Sequence, residues 1–204
     1  MITEHLHAND PGTIERAAAL LKQGKLVVFP TDTLYGVGAN ALDEAAVGAL
    51  YHAKRRPLEK GIPLLLADRE HVKLVARAVP QRAQELLERF WPGPLTLIVP
   101  RRAGLPSNLS PNENVAVRIP DDDVARAIIR TAGGALATSS ANLSGAPPAR
   151  NAEEALQALQ GAVAAVVDGG PATHGVASTI VDCTVEPPRI LRQGALSPAA
   201  LGLT

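Results

Sequence analysis

Aromatic residues are scarce in this chain: one Trp, two Tyr and two Phe make up 2% of its 204 residues. Proteins that bind single-stranded nucleic acid stack bases on rows of aromatic rings, so that mode of binding is nearly excluded. With 46% hydrophobic and 20% charged residues, the chain can still bury a sizeable core and is not a disordered tail.

An excess of charge of either sign is also missing, because 20 Lys and Arg balance 20 Asp and Glu. A protein that grips duplex nucleic acid usually carries a broad basic excess that displaces counterions, so wide nucleic-acid binding is disfavoured. A compact basic pocket for a phosphorylated small molecule is compatible with this balance.

The chain has one cysteine, Cys183, which cannot form an internal disulfide and fits a small buried apolar residue. Its first residues show no signal-peptide pattern, and no apolar run approaches the ~18 residues of a membrane span. We therefore expect a cytoplasmic protein with no membrane contact. Its length is near the upper end of the usual range of ~100–200 residues per domain, which predicts a single domain over residues 1–204.

Familiar catalytic motifs are absent as well. The sequence has no G-x-x-x-x-G-K-[ST] phosphate loop, no G-x-G-x-x-G after a strand and no G-x-S-x-G elbow. Its five histidines form no H-E-x-x-H pair, and Cys183 has no partner cysteine, so a zinc site is not expected.

Short apolar runs alternate with amphipathic segments, which predicts one mixed α/β domain with short connections. The runs predict strands at residues 26–29, 63–66, 95–99, 115–119, 136–138, 164–167, 178–182 and 190–191. Helical patterns and caps predict helices entered at 9–11, at Asp43 and at Asp68, others at 81–90, 121–130 and 151–159, and a last turn at 197–198.

Polar clusters follow several of these apolar runs. Residues 30–38 (PTDTLYGVG) come directly after the run at 26–29. Ligands commonly bind at strand ends, where side chains and free backbone amides converge. A Thr/Asp turn that its own side chains stabilise explains this segment equally well.

Three consecutive basic residues, Lys54, Arg55 and Arg56, end the helix that begins near Asp43. Basic residues at a helix C-terminus interact favourably with the helix dipole, and taken alone the run favours that structural role. The same groups could clamp a polyphosphate, because a lysine point charge and an arginine fork suit phosphate oxygens.

Arg118 interrupts the apolar strand at 115–119. A buried arginine without a partner would cost several kcal/mol of desolvation, so it must face a cleft or an acid. A bidentate grip on a ligand carboxylate is one use, and an ion pair with one of Asp121–Asp123 is the structural alternative.

Small hydroxyl residues and an asparagine occupy 137–145 (ATSSANLSG), where they could serve a nucleotide or an amino acid, or simply cap a helix. Polar residues also stand beside the short strands at 178–182 and 189–192. The glycine-rich residues 169–175 form either a mobile lid or a long connection.

Eight of these segments, taken in order, resemble the YrdC-like family of threonylcarbamoyl-AMP synthases. They are FPTDTLYGVGANAL, AKRRP, WPGPLTLIV, VAVRIPDD, ATSSANLSG, VDGGP, STIVDCT and ILRQG, and they extend from Phe29 to Gly194. The resemblance implies a twisted mixed α/β sheet flanked by helices, with the active site on a concave basic face. The resemblance is to the short form of the family, which lacks the C-terminal domain of longer relatives.

The resemblance implies a nucleotidyltransferase that makes threonylcarbamoyl-AMP and pyrophosphate from L-threonine, bicarbonate or CO₂, and ATP. A tRNA-modifying transferase complex would take the product, and weak direct contact with tRNA is compatible with this role. Mg²⁺ would arrive with ATP, held mainly by the triphosphate and water, because the sequence shows no carboxylate cage. Asp32 and Asp182 could assist it from the outer sphere, but a turn and a strand end favour structural roles for them.

Position within the motifs implies the role of each site residue. The residues implied to contact L-threonine are Thr33, Arg118, Thr138 and Ser178, with Arg118 holding the carboxylate bidentately. The residues implied to bind ATP are Lys54, Arg56, Ser140, Asn142 and Arg192. The first four of these form the family's signature tetrad and are the catalytic candidates, and substitution of Lys54 or Arg56 is expected to remove ATP use and spare the fold.

The segment 58–67 departs from longer relatives, which often have Asn-Pro after the Lys-x-Arg-Pro motif and a His at the end of the next strand. One nucleotide contact and one threonine contact are therefore expected to be lost or supplied differently. Two alternatives stay open. One is an RNA-binding module that uses the basic residues at 54–56 and 101–102, and the other is a carbamoyl-transfer paralogue on the same fold.

Overall fold

The computed structural model describes residues 2–203, whose ten strands form one mixed sheet. The strands are β1 (Glu4–His7), β2 (Val27–Phe29), β3 (Gly36–Asn40), β4 (Leu64–Leu66), β5 (Leu95–Pro100), β6 (Asn114–Arg118), β7 (Ala135–Ser140), β8 (Ala165–Asp168), β9 (Thr179–Asp182) and β10 (Arg189–Arg192). Their order across the sheet is β1-β8-β2-β3-β7-β4-β6-β5-β9-β10.

Helices lie on both faces of this sheet. They are α1 (Thr13–Lys22), α2 (Glu44–Lys54), α3 (Val72–Val75), α4 (Gln81–Phe90), α5 (Asp123–Ala132), α6 (Ala152–Leu159) and α7 (Pro198–Leu201). Among residues 2–203, none of the helices is long and apolar enough to cross a membrane.

Alternation along the strands divides the core into two layers. On one face, Leu21 of α1 and Ile128 of α5 belong to a buried cluster with Leu65 and Leu136. On the other face, side chains of α2, α4 and α6 cluster with residues such as Leu64. The mixed α/β sheet flanked by helices is thereby confirmed, whereas a concave basic face stays a prediction.

Most of the predicted elements are present. Asp43 caps α2 by accepting hydrogen bonds from the amides of Ala45 (2.9 Å) and Ala46 (3.1 Å). Helix α4 has the predicted bounds, but α1 begins later than residues 9–11, because Gly12 occupies its N-cap with a left-handed φ of 80°. The strand predicted at 136–138 extends to Ser140, which places three hydroxyl residues on the strand itself.

The strand β3 was not predicted, because its sequence GVGAN carries two glycines and has low strand propensity. Both glycines are required by packing. A Cβ at Gly36 would lie 2.8 Å from the Thr138 methyl carbon, and one at Gly38 would lie 2.7 Å from the Phe29 ring. Strand β3 joins β2 to β7, so these glycines allow the two polar clusters that follow those strands to approach each other.

Candidate active site

Eight of the nine predicted site residues line one cleft of about 330 Å³, which we call the candidate cleft. They are Thr33, Arg56, Arg118, Thr138, Ser140, Asn142, Ser178 and Arg192. The ninth, Lys54, is not part of its wall and lies behind it. A larger cavity of about 720 Å³, bordered by Lys25, His52 and Arg55, contains none of the nine.

Strand register explains why Arg118 and Thr138 share one face of the sheet. Leu65 of β4 stands opposite Leu136 of β7 and beside Arg118 of β6. Side chains at paired positions point to the same face, and Thr138, two residues after Leu136, points there too. Because Leu65 and Leu136 also pack under α1 and α5, the candidate cleft opens beside those helices.

Residues 31–34 form a turn that its own side chains stabilise, and Thr31, Thr33 and Leu34 of this turn line the candidate cleft. The Thr31 hydroxyl donates to the Leu34 carbonyl at 2.6 Å and lies 3.1 Å from Thr33 Oγ1. Because the Thr31 proton is used in that bond, Thr33 is the donor between the two hydroxyls. The two interpretations of this segment from sequence are therefore compatible with each other.

Arg118 is 5% exposed, and its guanidinium is held by three partners. Nε donates to the Gly93 carbonyl (2.9 Å), one terminal nitrogen donates to Thr33 Oγ1 (2.8 Å), and the other donates to Asp32 Oδ1. Desolvation lowers the pKa of Arg118, and the Asp32 carboxylate opposes that shift. A guanidinium has five N–H donors, so these three bonds leave one N–H group on each terminal nitrogen without a protein partner among residues 2–203.

The structural alternative for Arg118, an ion pair with one of Asp121–Asp123, is wrong in its partner, because Arg118 pairs with Asp32. Asp32 takes that position from 86 residues away in the sequence, and it is itself only 3% exposed. The backbone amide of Asp121 donates to the same carboxylate at 3.1 Å. The predicted turn role of Asp32 was therefore incomplete, since its side chain connects the turn to β6.

Ser178 lies between two other polar side chains of the candidate cleft. Its hydroxyl is 2.8 Å from Thr96 Oγ1 and accepts a hydrogen bond from Arg192 at 3.1 Å. Arg192 also donates to the Ser178 carbonyl through Nε (3.1 Å) and a terminal nitrogen (2.9 Å). These bonds fix Arg192 at the rim of the cleft.

Gly194 allows the end of β10 to approach the backbone of Ala177 and Ser178 closely. A Cβ at this position would lie 2.1 Å from the Ala177 carbonyl oxygen and 2.6 Å from that of Ser178. We expect Gly194→Ala to push β10 from residues 177–178 and to lower the free energy of unfolding by about 2 kcal/mol, as overpacking does. Urea denaturation measures this loss.

Gly48→Ala is the matched control, because Gly48 lies inside α2 and its added Cβ would meet only the Asn108 side chain, at 3.7 Å. That variant should be more stable than the wild type by roughly 1 kcal/mol, since alanine favours helices. If Gly194→Ala were as stable as the wild type, the backbone could relax at no cost and the explanation would be wrong.

Lys54 is 1% exposed and points away from solvent. Its ammonium donates to the backbone carbonyls of Ser140 and Asn142, the latter at 2.6 Å, and its own carbonyl accepts from the Ser144 amide at 2.8 Å. Lys54 therefore connects the end of α2 to residues 140–144. Its buried position argues against the expectation that Lys54→Ala spares the fold.

Burial, assisted by the nearby charge of Arg56, lowers the pKa of Lys54 from 10.5 to about 8. Between these two pH values the unfolded chain binds a proton that the folded protein has released, so stability rises with pH. We expect the wild type to gain about 2 kcal/mol of unfolding free energy over a Lys54→Met variant between pH 7.5 and pH 10. Paired urea denaturation curves measure the difference, and a constant difference would contradict the shift.

Arg56 is half-buried and reaches the candidate cleft beside this connection. Nε donates to the Lys60 carbonyl (2.9 Å) and one terminal nitrogen to the Gly61 carbonyl (2.8 Å). Desolvation lowers the pKa of Arg56 as well. The other terminal nitrogen donates to no protein group within residues 2–203, which leaves its two N–H groups for a ligand.

Asn142 presents an unused acceptor at the wall of the candidate cleft. Its amide nitrogen donates to the carbonyls of Leu143 (2.9 Å) and Ala146 (2.7 Å). Its Oδ1 is buried and has no hydrogen-bond partner among residues 2–203. Since buried acceptors in proteins are normally paired, a donor from a ligand would complete this site.

The wall of the candidate cleft has a strong charge bias, because among residues 2–203 it includes three arginines and no carboxylate side chain. The predicted site residues leave out four hydroxyl residues of this wall, namely Thr31, Tyr35, Thr96 and Ser139. Thr96 could have been noticed, since it is a polar residue inside an apolar strand. Leu65 lines the cleft in the segment that departs from longer relatives.

The chain is similar in sequence to a known family of domains and to known proteins. A family model described as Sua5/yciO/yrdC, telomere recombination, matches residues 19–194. The chain is 43% identical to the threonylcarbamoyl-AMP synthase of Bacillus subtilis over 201 residues, which cover 96% of this chain and 57% of that protein. It is 39% identical to the putative threonylcarbamoyl-AMP synthase of Mycobacterium tuberculosis, covering 96% of this chain and 92% of that protein.

Among solved structures, the fold is similar to that of P. abyssi Sua5 complexed with L-threonine. The TM-score is 0.91 at 38% identity, and the match covers 96% of this chain and 58% of the other. The chain thus spans somewhat more than half the length of the B. subtilis and P. abyssi proteins.

Proposed function

Because the chain belongs to the Sua5/yciO/yrdC family, we propose that it is a threonylcarbamoyl-AMP synthase, which converts L-threonine, bicarbonate or CO₂, and ATP into threonylcarbamoyl-AMP and pyrophosphate. One observation carries the proposal: a single cleft with three arginines and no carboxylate side chain among residues 2–203. Such a cleft suits two anionic substrates, an amino-acid carboxylate and a triphosphate.

The threonine would bind at the Arg118 end of the candidate cleft. The two free N–H groups of Arg118 would hold its carboxylate, with Thr33 as a hydrogen-bond acceptor and Thr138 and Ser178 as further polar contacts. The similarity to a Sua5 structure complexed with L-threonine supports this placement.

The nucleotide would bind at the Arg56 end. Arg56 would contact phosphate oxygens with its free terminal nitrogen, and Ser140 and Asn142 would contact the nucleotide from the end of β7. Lys54 would act mainly by holding the carbonyls of Ser140 and Asn142 and by adding positive charge behind them. Arg192 bonds to Ser178 and therefore stands where the two substrates would meet.

The chemistry needs alignment and charge neutralisation more than a protein nucleophile. The threonine amine adds to CO₂ and loses a proton, which gives a carbamate. A carbamate oxygen then attacks the α-phosphorus, the bond from that phosphorus to the bridging oxygen breaks, and pyrophosphate leaves with the electron pair. Arginines spread along the cleft would stabilise the charge that develops on the phosphates.

Mg²⁺ would enter as part of the ATP complex. Within residues 2–203, no three His, Cys, Asp or Glu side chains come together as a metal site would require. Phosphate oxygens and water would therefore coordinate the ion, and the protein would bind the complex through its arginines. Asp32 is turned toward Arg118 and Asp182 toward Thr184, which favours structural roles for both.

The product is a reactive mixed anhydride, so a second activity must consume it. We propose that a tRNA-modifying transferase complex takes threonylcarbamoyl-AMP and transfers the acyl group to an adenosine of tRNA, which would place the protein in the cytoplasm. Weak contact with tRNA is compatible with the arginines at the cleft.

Pyrophosphate release by the purified protein tests the proposal. ATP and Mg²⁺ are supplied with L-threonine and bicarbonate, and each of the last two is omitted in turn. Release that requires both supports carbamate formation followed by adenylation. If ATP stayed intact in every mixture while tRNA bound tightly at low salt, the RNA-binding alternative would replace the enzyme.

A further inference from the structure

Asp32 is a buried carboxylate that joins three segments around the Arg118 end of the candidate cleft. Its Oδ1 accepts from the Arg118 guanidinium and from the Asp121 amide at 3.1 Å. Its backbone carbonyl accepts from the His174 amide at 2.8 Å, which attaches residues 169–175 to the same point. Asp32 does not line the cleft, so a substrate bound there would not touch it.

We propose that Asp32 is the positioning residue for L-threonine recognition: it fixes the plane of the Arg118 guanidinium so that the two free N–H groups face the cleft. This inference rests on the proposed function, because it takes threonine as the ligand of Arg118. The other two partners of Arg118 are a backbone carbonyl and a threonine hydroxyl, at 2.9 and 2.8 Å. Among the three bonding partners Asp32 alone is charged, and it opposes the desolvation of the guanidinium more strongly than Asp122 does.

The second carboxylate oxygen supports a positioning role. Oδ2 is buried and has no hydrogen-bond partner among residues 2–203, and the imidazole Nε2 of His174 lies 4.0 Å from it. A carboxylate whose only purpose was stability would be expected to fill both oxygens, because an unpaired buried acceptor lowers stability. In Asp32 only Oδ1 accepts hydrogen bonds, one from Arg118 and one from the Asp121 amide.

A purely electrostatic role and a positioning role predict opposite changes in threonine affinity when the charge of Asp32 is removed. Asp32→Asn deletes a negative group near the substrate carboxylate, so a purely electrostatic role would make threonine bind more tightly. A positioning role predicts weaker binding, because a guanidinium that rotates loses its bidentate geometry. The sign of the change in threonine affinity therefore separates the two.

The experiment uses Asp32→Asn and Asp32→Glu, with L-threonine binding measured by calorimetry and KM values by pyrophosphate release. Asp32→Glu keeps the charge and moves it by one methylene, so it also tests position if the Asn variant does not fold. We expect the threonine Kd and KM to rise about tenfold in both variants, with the KM for ATP nearly unchanged. A folded variant that binds threonine as tightly as the wild type, or more tightly, would overturn the inference.

His174→Ala is the control: it keeps the backbone bond to Asp32 and all three bonds of Arg118, and it removes only the imidazole that lies 4.0 Å from Asp32 Oδ2. It should leave the threonine Kd within about twofold of wild type, a change too small to mark a positioning contact. An effect as large as that of Asp32→Asn would assign the role to residues 169–175 and overturn the inference. If wild-type protein bound threonine but released no pyrophosphate, the proposed reaction would fail while this inference stood; if it did not bind threonine, both would fail.

Discussion

Arg118→Met should raise the KM for L-threonine by at least roughly 100-fold, which corresponds to the several kcal/mol that a buried, bidentate charged contact contributes. Methionine fills a similar volume and offers no donor, so the substrate carboxylate would have no partner at the buried end of the cleft. ATP should still bind with near wild-type affinity, because the residues proposed for the nucleotide lie toward Arg56 and Asn142. Saturation curves for each substrate measure both effects.

The same substitution leaves the Asp32 carboxylate buried without its cation, which should lower stability by about 3–5 kcal/mol. A double variant, Asp32→Asn with Arg118→Met, removes both charges and should recover most of that stability without recovering threonine use. This pair of variants separates loss of binding from loss of fold. An unchanged threonine saturation curve in Arg118→Met would remove Arg118 from the proposed role.

Arg56→Ala should lower kcat/KM for ATP by about 10²–10³-fold, the effect expected when a charged donor is taken from a transferring phosphate. Arg56 is half-buried and its other bonds go to the loop carbonyls of Lys60 and Gly61, outside the strands and helices, so the fold should be preserved. Lys54→Met should also lose activity, but with a measurable loss of stability, because two carbonyls at 140 and 142 lose their shared donor.

Arg55→Ala is the control for both, because Arg55 lies between the two residues in sequence but borders the larger cavity instead of the candidate cleft. It should keep the wild-type KM for ATP. If it lowered ATP use as much as Arg56→Ala, general positive charge at the end of α2 would explain the effect, and a specific phosphate contact would not.

The sequence predicted elements that combine a regular apolar pattern with a cap, such as α2 after Asp43 and α4 at 81–90. It did not predict β3, because GVGAN forms a strand through contacts with other strands. Its two glycines leave room for side chains of those strands. Those neighbours, Phe29 and Thr138, lie on different strands. Contacts of this kind are set by the assembled sheet and leave no local signal.

The candidate site shows the same limit. Motif order brought together eight residues that do line one cleft, but their partners could not be deduced from spacing. Arg118 pairs with a carboxylate 86 positions away instead of an adjacent one. Lys54 binds two backbone carbonyls. Every residue has such a carbonyl, so the sequence does not indicate which ones a lysine will bind, and the role of Lys54 in connecting two segments was not predicted.

The sheet order has a consequence for synthesis on the ribosome. Strand β1, at residues 4–7, finds its hydrogen-bonding partner only when β8, at 165–168, has emerged, and β3, which pairs with β2 on one side, lacks its other neighbour until β7 is made. Folding that depends on such distant pairings is slow, because long loops must close before contacts stabilise them. Thr33 and Arg192 face the same cleft, so a nascent chain has no half-formed site for either substrate. Ligands could stabilise this fold only after residue 192 has been made.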